Sequence, residues 1–227
     1  MKFAVLYSGG KDSNYAMYKA MENNEIVCII SVFSKNKESY MFHTPNIELV
    51  RLQAMAIETN VVEKETDGVK EEELVDLKDA IAKAKEKFGI GGIVTGALKS
   101  DYQATRIQKI CDDLNLECFN PLWHIDEEKF LRDMVKEGFE VIISGVFADG
   151  LGKDFLGKII DNNVIDSLVK LRDKFNISPA GEGGEIETTV LDAPFFKRKI
   201  EILDSEIKFQ DGCGVFLIKN AKLSNKN

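Results

Sequence analysis

Several residue types that carry common chemistries are scarce in this sequence. It has four cysteines and two histidines, and no two cysteines form a C-x-x-C pair. A zinc site, an iron–sulfur cluster and a disulfide framework are therefore not expected. The sequence has no Gly-x-Gly-x-x-Gly segment. Its partial Walker A match, from Gly152 to Lys158, is followed by Ile159 where Ser or Thr must bind magnesium.

Positive charge and long apolar runs are also limited. The 30 basic and 38 acidic residues give a formal net charge of −8. This balance argues against general nucleic-acid binding, because phosphate contacts need clustered Lys and Arg. No apolar stretch approaches the length of a membrane span, and the N-terminus lacks the layout of a signal peptide. We therefore expect a cytoplasmic protein without membrane or nucleic-acid partners.

The most informative stretch is a Ser/Gly-rich turn, Tyr7-Ser8-Gly9-Gly10-Lys11-Asp12-Ser13, between an apolar run and a helical pattern. A strand-to-helix turn can direct backbone N–H groups at an anion. Ser8 and Ser13 add hydroxyl donors, and Lys11 adds a mobile positive charge. Asp12 would repel a phosphate unless a metal ion bridged the two, so we expect Asp12 to act through Mg²⁺.

Strands and helices alternate regularly through the first half of the sequence. A long helix is predicted from Glu71 to Phe88, with Leu77 and Ile81 on its apolar face. Such alternation predicts an α/β fold with a parallel, Rossmann-like sheet, whose ligand lies beyond the carboxyl ends of the strands. We expect residues 1–124 to form this domain. Residues 125–227, where alternation is less regular, are expected to form a smaller mixed α/β domain with a β-rich tail.

Further polar and glycine-rich segments make the pattern more specific. The turn matches the Ser-Gly-Gly-x-Asp-Ser/Thr loop of the N-type ATP pyrophosphatases. With Ser100-Asp101-Tyr102-Gln103, Pro121-Leu122-Trp123 and Gly181-Glu182-Gly183-Gly184-Glu185, the chain resembles the diphthine–ammonia ligase family over essentially its whole length. Ile186 departs from that pattern, because an aromatic residue is common there.

The resemblance implies both a fold and a reaction. The N-terminal domain would have the adenine nucleotide alpha hydrolase-like (HUP) fold and bind ATP with Mg²⁺. The enzyme would be an ATP-dependent amide ligase acting on diphthine, a modified histidine of translation elongation factor 2. ATP would adenylate the diphthine carboxylate with release of pyrophosphate, and ammonium would then displace AMP to leave diphthamide. The chain has no obvious room for a glutaminase domain, so we expect free ammonium as the amine source.

Individual residues can be assigned roles in that reaction. Gly96 would let the nucleotide lie against the fourth strand. Asp101 and Arg106 could equally form a surface pair, and Tyr102 could equally pack in the core. The predicted catalytic residues are Lys11, Asp12 and Ser13. The predicted nucleotide-binding residues are Ser8, Gly9, Gly10, Lys11, Asp12, Ser13 and Gly96, with Asp12 as the metal ligand. The predicted substrate-binding residues are His43, Asp101, Tyr102, Gln103, Arg106, Glu182, Glu185 and Glu187.

The charges of the acidic segment, residues 181–187, predict a bound cation. Glu182, Glu185 and Glu187 crowd three negative charges, which repel unless a cation lies between them. We expect them to hold the trimethylammonium group of diphthine, with Trp123 or Tyr102 as an aromatic wall. A second Mg²⁺ site and a solvated hairpin loop are the alternatives.

Two other functions remain in competition. The closest is an adenylating enzyme of the thiolation type that acts on tRNA, although such enzymes generally need catalytic cysteines. The second is a nucleotide-binding sensor that performs no chemistry. The sequence also leaves a homo-oligomer open, because the apolar tail segments could pack on the core or on another subunit.

Overall fold

The first half of the chain builds a five-stranded parallel sheet. The computed structural model describes residues 1–34, 45–69 and 72–226. The strands have the order β3-β2-β1-β4-β5, so β1 is central and the strand order reverses between β1 and β4. The strands are β1 (Lys2–Leu6), β2 (Glu25–Ser34), β3 (Asn60–Thr66), β4 (Gly92–Val94) and β5 (Glu117–Phe119). This sheet confirms the predicted fold class.

Helices cover both faces of this sheet. Phe3 and Val5 of β1 pack against one pair of helices, and Ala4 packs against a second pair on the opposite face of the sheet. Successive side chains of a strand point to opposite faces, which explains this alternation. The first pair is α1 (Lys11–Met21) and α2 (Val50–Ile57), and the second pair is α3 (Glu72–Phe88) and α4 (Asp101–Asp113). The predicted apolar face of α3 is confirmed, since Leu77 and Ile81 are buried.

The second half of the chain forms a four-stranded antiparallel sheet with two helices. Its strand order is β7-β6-β9-β8, with β7 and β8 at the edges. The strands are β6 (Glu140–Val146), β7 (Ile186–Asp192), β8 (Arg198–Gln210) and β9 (Cys213–Asn225), and the helices are α5 (Glu127–Lys136) and α6 (Asn162–Phe175). The β-rich tail is therefore one long β8–β9 hairpin that follows β7.

One hydrophobic core joins the two halves. The ring of Tyr15 in α1 lies 5.1 Å from that of Phe130 in α5 and 5.6 Å from that of Phe139, measured between centroids. Main-chain hydrogen bonds also cross between the halves, from Val190 N–H to the Gly9 carbonyl at 3.1 Å. The antiparallel sheet and its helices therefore cover the outer side of α1 and α2. Among the described residues, no helix has both the length and the apolar character needed to cross a membrane.

Candidate active site

A cavity of about 420 Å³ opens at the carboxyl ends of β1 and β4, where the strand order reverses. Three segments surround it: the loop that starts α1, the β4–α4 loop, and the segment before and within the start of β7. Sequence positions almost 180 residues apart thus meet in one site. The predicted site residues that line the cavity are Ser8, Gly10, Lys11, Asp12, Ser13, Gly96, Gln103, Glu182 and Glu187.

The Ser/Gly-rich turn, residues 8–13, is called the phosphate loop below. It turns through Gly9, whose φ of +81° lies in the left-handed region that favours glycine. Ser13 Oγ donates to the Gly10 carbonyl at 3.2 Å and lies 3.4 Å from Ser8 Oγ. Amides in the first turn of a helix have no acceptor within that helix, so this loop is suited to an anion.

Lys11 is a fixed charge, contrary to the mobile one predicted from the sequence. Its side chain is 3% exposed, and Nζ lies 2.9 Å from both carboxylate oxygens of Asp12. The ammonium also lies 5.9 Å from the centroid of the Phe130 ring, within the range of a cation–π contact. Burial therefore holds the only basic side chain of the loop in one place.

Side chains of strand β7 and helix α2 hold the phosphate loop in place through hydrogen bonds. Thr188 Oγ1 accepts a hydrogen bond from the Lys11 N–H at 3.1 Å. The fully buried Gln53 of α2 donates through Nε2 to the carbonyls of Gly9, at 2.9 Å, and Val190, at 2.8 Å. Sequence reasoning missed both residues. Gln53 could have been noticed in the sequence, because it is a polar residue on the apolar helix face that Val50 and Ile57 define.

Gly96 lines the cavity, and its lack of a side chain also permits close packing of two backbone segments. A Cβ at this position would lie 2.8 Å from the Asp12 carbonyl carbon and 2.9 Å from the Ser13 nitrogen. Real Cβ atoms do not approach backbone so closely. Glycine at this position therefore lets the β4–α4 loop pack against the first turn of α1, which fixes the phosphate loop.

The residues that follow Gly96 face in different directions. Gln103 lines the cavity, and its N–H donates to the N-cap residue of α4, Ser100, at 3.4 Å. Asp101 instead borders a second, shallower cavity of about 600 Å³. The guanidinium carbon of Arg106 lies 3.5 Å from the centroid of the Tyr102 ring, and neither residue borders the first cavity. The structure thus brings one of these four predicted substrate residues to the site.

The three glutamates of the acidic segment also differ in whether they face the cavity. Glu182 and Glu187 line the cavity, and Glu182 accepts a hydrogen bond from the Lys99 N–H at 3.0 Å. Glu185 lies outside it and accepts from two backbone amides, Ser178 at 2.9 Å and Gly183 at 2.8 Å. The predicted cluster of three carboxylates is therefore a pair, and the third carboxylate closes its own loop.

Burial sets the protonation of this acidic pair. It raises the pKa of Glu187 to about 7, with Lys11 acting to lower the value and Asp12 to raise it. Burial also raises the pKa of Glu182, where Asp12 adds to the increase and Lys11 opposes it. A cation placed between the two carboxylates would favour their charged forms, so the pair is suited to a positively charged group.

Glu127 forms hydrogen bonds with two of the segments around the cavity, the β4–α4 loop and the segment before β7. It accepts from Lys99 Nζ and Ser178 Oγ, both at 2.6 Å, and from the Ala180 N–H at 3.3 Å. Burial acts to raise the pKa of this carboxyl, but hydrogen bonds from Lys99, Ser178 and the Ala180 amide outweigh it and leave the pKa below its usual range. Glu127 lies in the first turn of α5, where the sequence alone indicates no more than an acid near a helix N-terminus.

The remaining predictions lie elsewhere. His43 falls outside the described residues. Trp123 borders the second cavity, and its ring lies 4.7 Å from that of His124, so neither Trp123 nor Tyr102 forms an aromatic wall beside the acidic pair. In the part of the chain that the structure describes, no three His, Cys, Asp or Glu residues group as a ready-made metal site.

Family models of two consecutive domains match this chain. A family model described as the diphthamide synthase N-terminal domain matches residues 1–118, and the model of the corresponding C-terminal domain matches residues 126–224. A solved structure of a predicted subunit of tRNA methyltransferase from Methanocaldococcus jannaschii has 16% sequence identity and a TM-score of 0.45. The match covers 85% of this chain and 97% of that one.

Curated relatives share one name. The diphthine–ammonia ligase of Rattus norvegicus is 36% identical, with 91% of this chain and 84% of the relative covered. The Homo sapiens enzyme is 34% identical, with 91% and 85% covered. The Saccharomyces cerevisiae enzyme is 30% identical over all of this chain and 37% of its own length. Since both domain models match in order and the mammalian relatives align over most of their length, the chain belongs to the diphthamide synthase family of diphthine–ammonia ligases.

Proposed function

We propose that this ligase uses ATP and ammonium to convert diphthine on translation elongation factor 2 to diphthamide, through an acyl-adenylate. The observation that carries the proposal is the meeting of the phosphate loop with the partly buried pair Glu182 and Glu187 in one cavity. A site for an anion thus adjoins a site for a cation. We further propose that residues 1–124 bind the nucleotide and residues 125–227 supply most of the contacts to the substrate.

The shape of the cavity suits a nucleotide. Its volume of about 420 Å³ falls within the usual range for small-molecule sites. One side is polar, formed by the phosphate loop. The other side is apolar and would accept the adenine base; it is lined by Leu6, Ile30, Val32, Leu77 and Ile107.

The phosphate loop would stabilise the charge that develops as pyrophosphate leaves. A carboxylate oxygen is already a nucleophile, so adenylation demands positioning and charge neutralisation rather than a general base. Lys11 Nζ, fixed by burial, and the Ser8 hydroxyl are the donors proposed for the β and γ phosphates, and the Ser13 hydroxyl would join them by turning away from the Gly10 carbonyl. Because Lys11 is preorganised, little reorganisation accompanies the bond change.

Asp12 fits the predicted Mg²⁺. Lys11 Nζ donates a hydrogen bond to Asp12 Oδ2 and lies 2.9 Å from the buried Oδ1, which makes no hydrogen bond of its own, so Mg²⁺ would share this oxygen with the ammonium group. Mg²⁺ is usually held by one or two carboxylates together with phosphate oxygens, so a single protein ligand is sufficient. When bound, the ion would neutralise phosphate charge and remove the repulsion between Asp12 and ATP.

The proposed reaction has two steps, adenylation of the carboxylate and transfer of the acyl group to nitrogen. The diphthine carboxylate oxygen would bond to the α-phosphorus while the bond to pyrophosphate breaks. Ammonium would lose a proton to solvent, and the resulting ammonia would attack the acyl carbon. The bond to AMP would break as the amide forms, and the attacking nitrogen would release one further proton to solvent. Glu182 and Glu187 would hold the trimethylammonium group, which orients the adjacent carboxylate towards the nucleotide. Gln103, on the β4–α4 side of the cavity, is placed to contact the acceptor.

The test is pyrophosphate release from Mg-ATP and ammonium, with and without diphthine-bearing elongation factor 2. We expect release, AMP formation and conversion of the carboxylate to an amide only when the modified factor is present. Release that ignores the factor but responds to tRNA would favour the tRNA-modifying alternative. ATP binding with no release under either condition would contradict the proposed reaction.

A further inference from the structure

Strand β8 presents an open edge with an unusual surface. It is the last strand in the sheet order, so among the described strands it has β9 on one side and none on the other. From Leu203 onward every residue of the strand is exposed, and Leu203, Ile207 and Phe209 are 50%, 39% and 36% exposed. An exposed, long, apolar edge offers unpaired N–H and C=O groups to another strand.

The other long edges of the two sheets are covered or charged. The edge strand β7 is occupied by the phosphate loop, through Val190 and Gly9. The edge strand β3 carries Glu63 and Lys64, whose charged groups pair with Arg51 and with acids of α3. Charged side chains are a common protection of edges against pairing. On β8 the charged residues Glu206 and Lys208 alternate with the exposed Ile207 and Phe209, so only one face of this edge has such protection.

The sequence of β8 is complementary to itself when two copies run antiparallel. Its pairing with β9 is irregular between Ile202 and Ser205 and regular from there to Gln210. A two-fold axis through Ile207 places the two copies of Ile207 opposite each other. It also places Glu206 of each copy opposite Lys208 of the other, and Ser205 opposite Phe209.

Neighbouring positions for the axis are less favourable. An axis through Glu206 would place two Glu206 carboxylates opposite each other, which offsets part of the attraction between Asp204 and Lys208 in that register, and an axis through Ser205 would place Asp204 opposite Glu206. Like charges directly opposite destabilise a pair of strands, while opposite charges stabilise it. The charge pattern therefore selects one register, centred on the regular part of the edge.

We propose that residues 204–210 of β8 form an antiparallel two-fold interface with a second copy of this chain. The interface would join two four-stranded sheets into one eight-stranded sheet. Its backbone hydrogen bonds would satisfy the open edge, and Ile207 and Phe209 of both copies would share a face. The surface lies away from the nucleotide cavity, so each copy would keep its own site.

Sedimentation of the full-length protein tests the proposal. We expect the wild type to have twice the monomer mass of 25.4 kDa. The single substitutions Glu206→Lys and Lys208→Glu each replace two attractive pairs with two repulsive pairs, and each should weaken dimerisation by about tenfold or more. The double swap Glu206→Lys with Lys208→Glu should restore it.

Mixing the two single variants gives a further check. Each variant alone should be mainly monomeric, but a mixture should form a heterodimer, because lysines of one copy then face glutamates of the other. Glu206 also pairs with Lys219 at 2.9 Å within the hairpin. The matched control is therefore Glu201→Lys, which removes the pair of Glu201 with Lys222 but lies outside the proposed interface.

The control variant should dimerise like the wild type, and far-UV circular dichroism should be unchanged for all variants. A monomeric wild type at the highest soluble concentration would overturn the proposal. A dimer that ignores the charge substitutions, or one that the double swap fails to restore, would place the interface on another surface and would equally overturn it.

Discussion

Glu185 and Glu187 have the same side chain and lie two positions apart, yet the fold gives them different surroundings. Glu185 is hydrogen-bonded by the amides of Ser178 and Gly183, which hold its loop in shape. Glu187 is buried in the cavity, near the charges of Lys11 and Asp12. Burial without comparable hydrogen bonding disfavours ionisation, so the pKa of Glu187 is raised.

The raised pKa of Glu187 makes stability depend on pH. Burial raises this pKa from 4.5 to about 7. Between these values the unfolded chain releases the proton while the folded chain retains it, so unfolding becomes easier as pH rises. Glu187→Gln removes this titration. Without ATP and with EDTA present, we expect the free energy of unfolding of the variant to exceed that of the wild type. This difference should grow to about 3 kcal/mol as the pH rises through that window.

Urea unfolding at a series of pH values measures this difference. The two proteins should converge in stability below pH 4.5, where the carboxyl is protonated in both states. A difference in free energy of unfolding that stays constant with pH would contradict the buried, protonated state of Glu187.

Substitution of Glu182 tests the proposed cation site directly. Glu182→Gln removes one charge from the cavity while preserving the side chain's size. We expect weaker binding of the diphthine-bearing factor, by about tenfold, because a desolvated ion pair contributes on the order of 1–3 kcal/mol. Nucleotide affinity should change little. Titration calorimetry with each ligand separates the two effects.

Glu185→Gln is the matched control for that substitution. It makes the same chemical change outside the cavity, and should cost about 1 kcal/mol of stability through weaker hydrogen bonds to the loop amides. Its affinity for the modified factor should remain near that of the wild type. Equal losses of affinity in both variants would argue against a cation site limited to Glu182 and Glu187.

At the scale of elements, the phosphate loop depends on β7 as much as on α1. Thr188 accepts the first amide of α1, and Gln53 bridges the carbonyls of Gly9 and Val190. Buried backbone groups that lose such partners are costly to leave unpaired. The strand therefore holds the loop in a conformation that a free helix N-terminus would not keep.

Thr188→Val tests this support. The substitution preserves shape but removes the acceptor for the Lys11 N–H, so we expect a loss of about 1–2 kcal/mol in stability. The loop should become less ordered, and ATP should bind several-fold more weakly. Thr188→Ser retains the hydroxyl and should recover most of the affinity. If the valine and serine variants bind ATP equally well, the hydrogen bond has no role in shaping the loop.

The sequence predicted the features that depend on local patterns. The phosphate loop could be found because its glycines, hydroxyls and charges are consecutive, and the parallel sheet because strands and helices alternate. The roles of Gln53 and Thr188 could not, since their contacts join residues 44 and 177 positions away. Spacing along the chain also suggested that Glu185 faced the site, whereas the turn of its own loop directs the carboxylate towards backbone amides.

At the scale of the molecule, the shared core makes the two halves one unit of folding. Phe130 is fully buried between Tyr15 of the first half and residues of the second. Its ring also lies near Lys11 Nζ. Separate cores would permit two unfolding transitions, but a continuous core predicts one.

Phe130→Ala therefore tests the unity of the core. We expect a single thermal transition for wild type and variant, with the variant destabilised by about 3–5 kcal/mol. Fluorescence of Trp123, the only tryptophan, and far-UV circular dichroism should shift together. Phe175→Ala is the control, because that ring is 39% exposed and its removal should cost much less. Separate shifts of the two signals would show independent halves.

The distance in sequence between Lys11 and Thr188 has a consequence for biosynthesis. The two residues are 177 positions apart, and the loop that would bind the nucleotide is completed by strand β7. A ribosome must therefore translate residues Ile186–Asp192 before the loop has its support. The nascent chain should consequently be unable to bind ATP until β7 has left the ribosome.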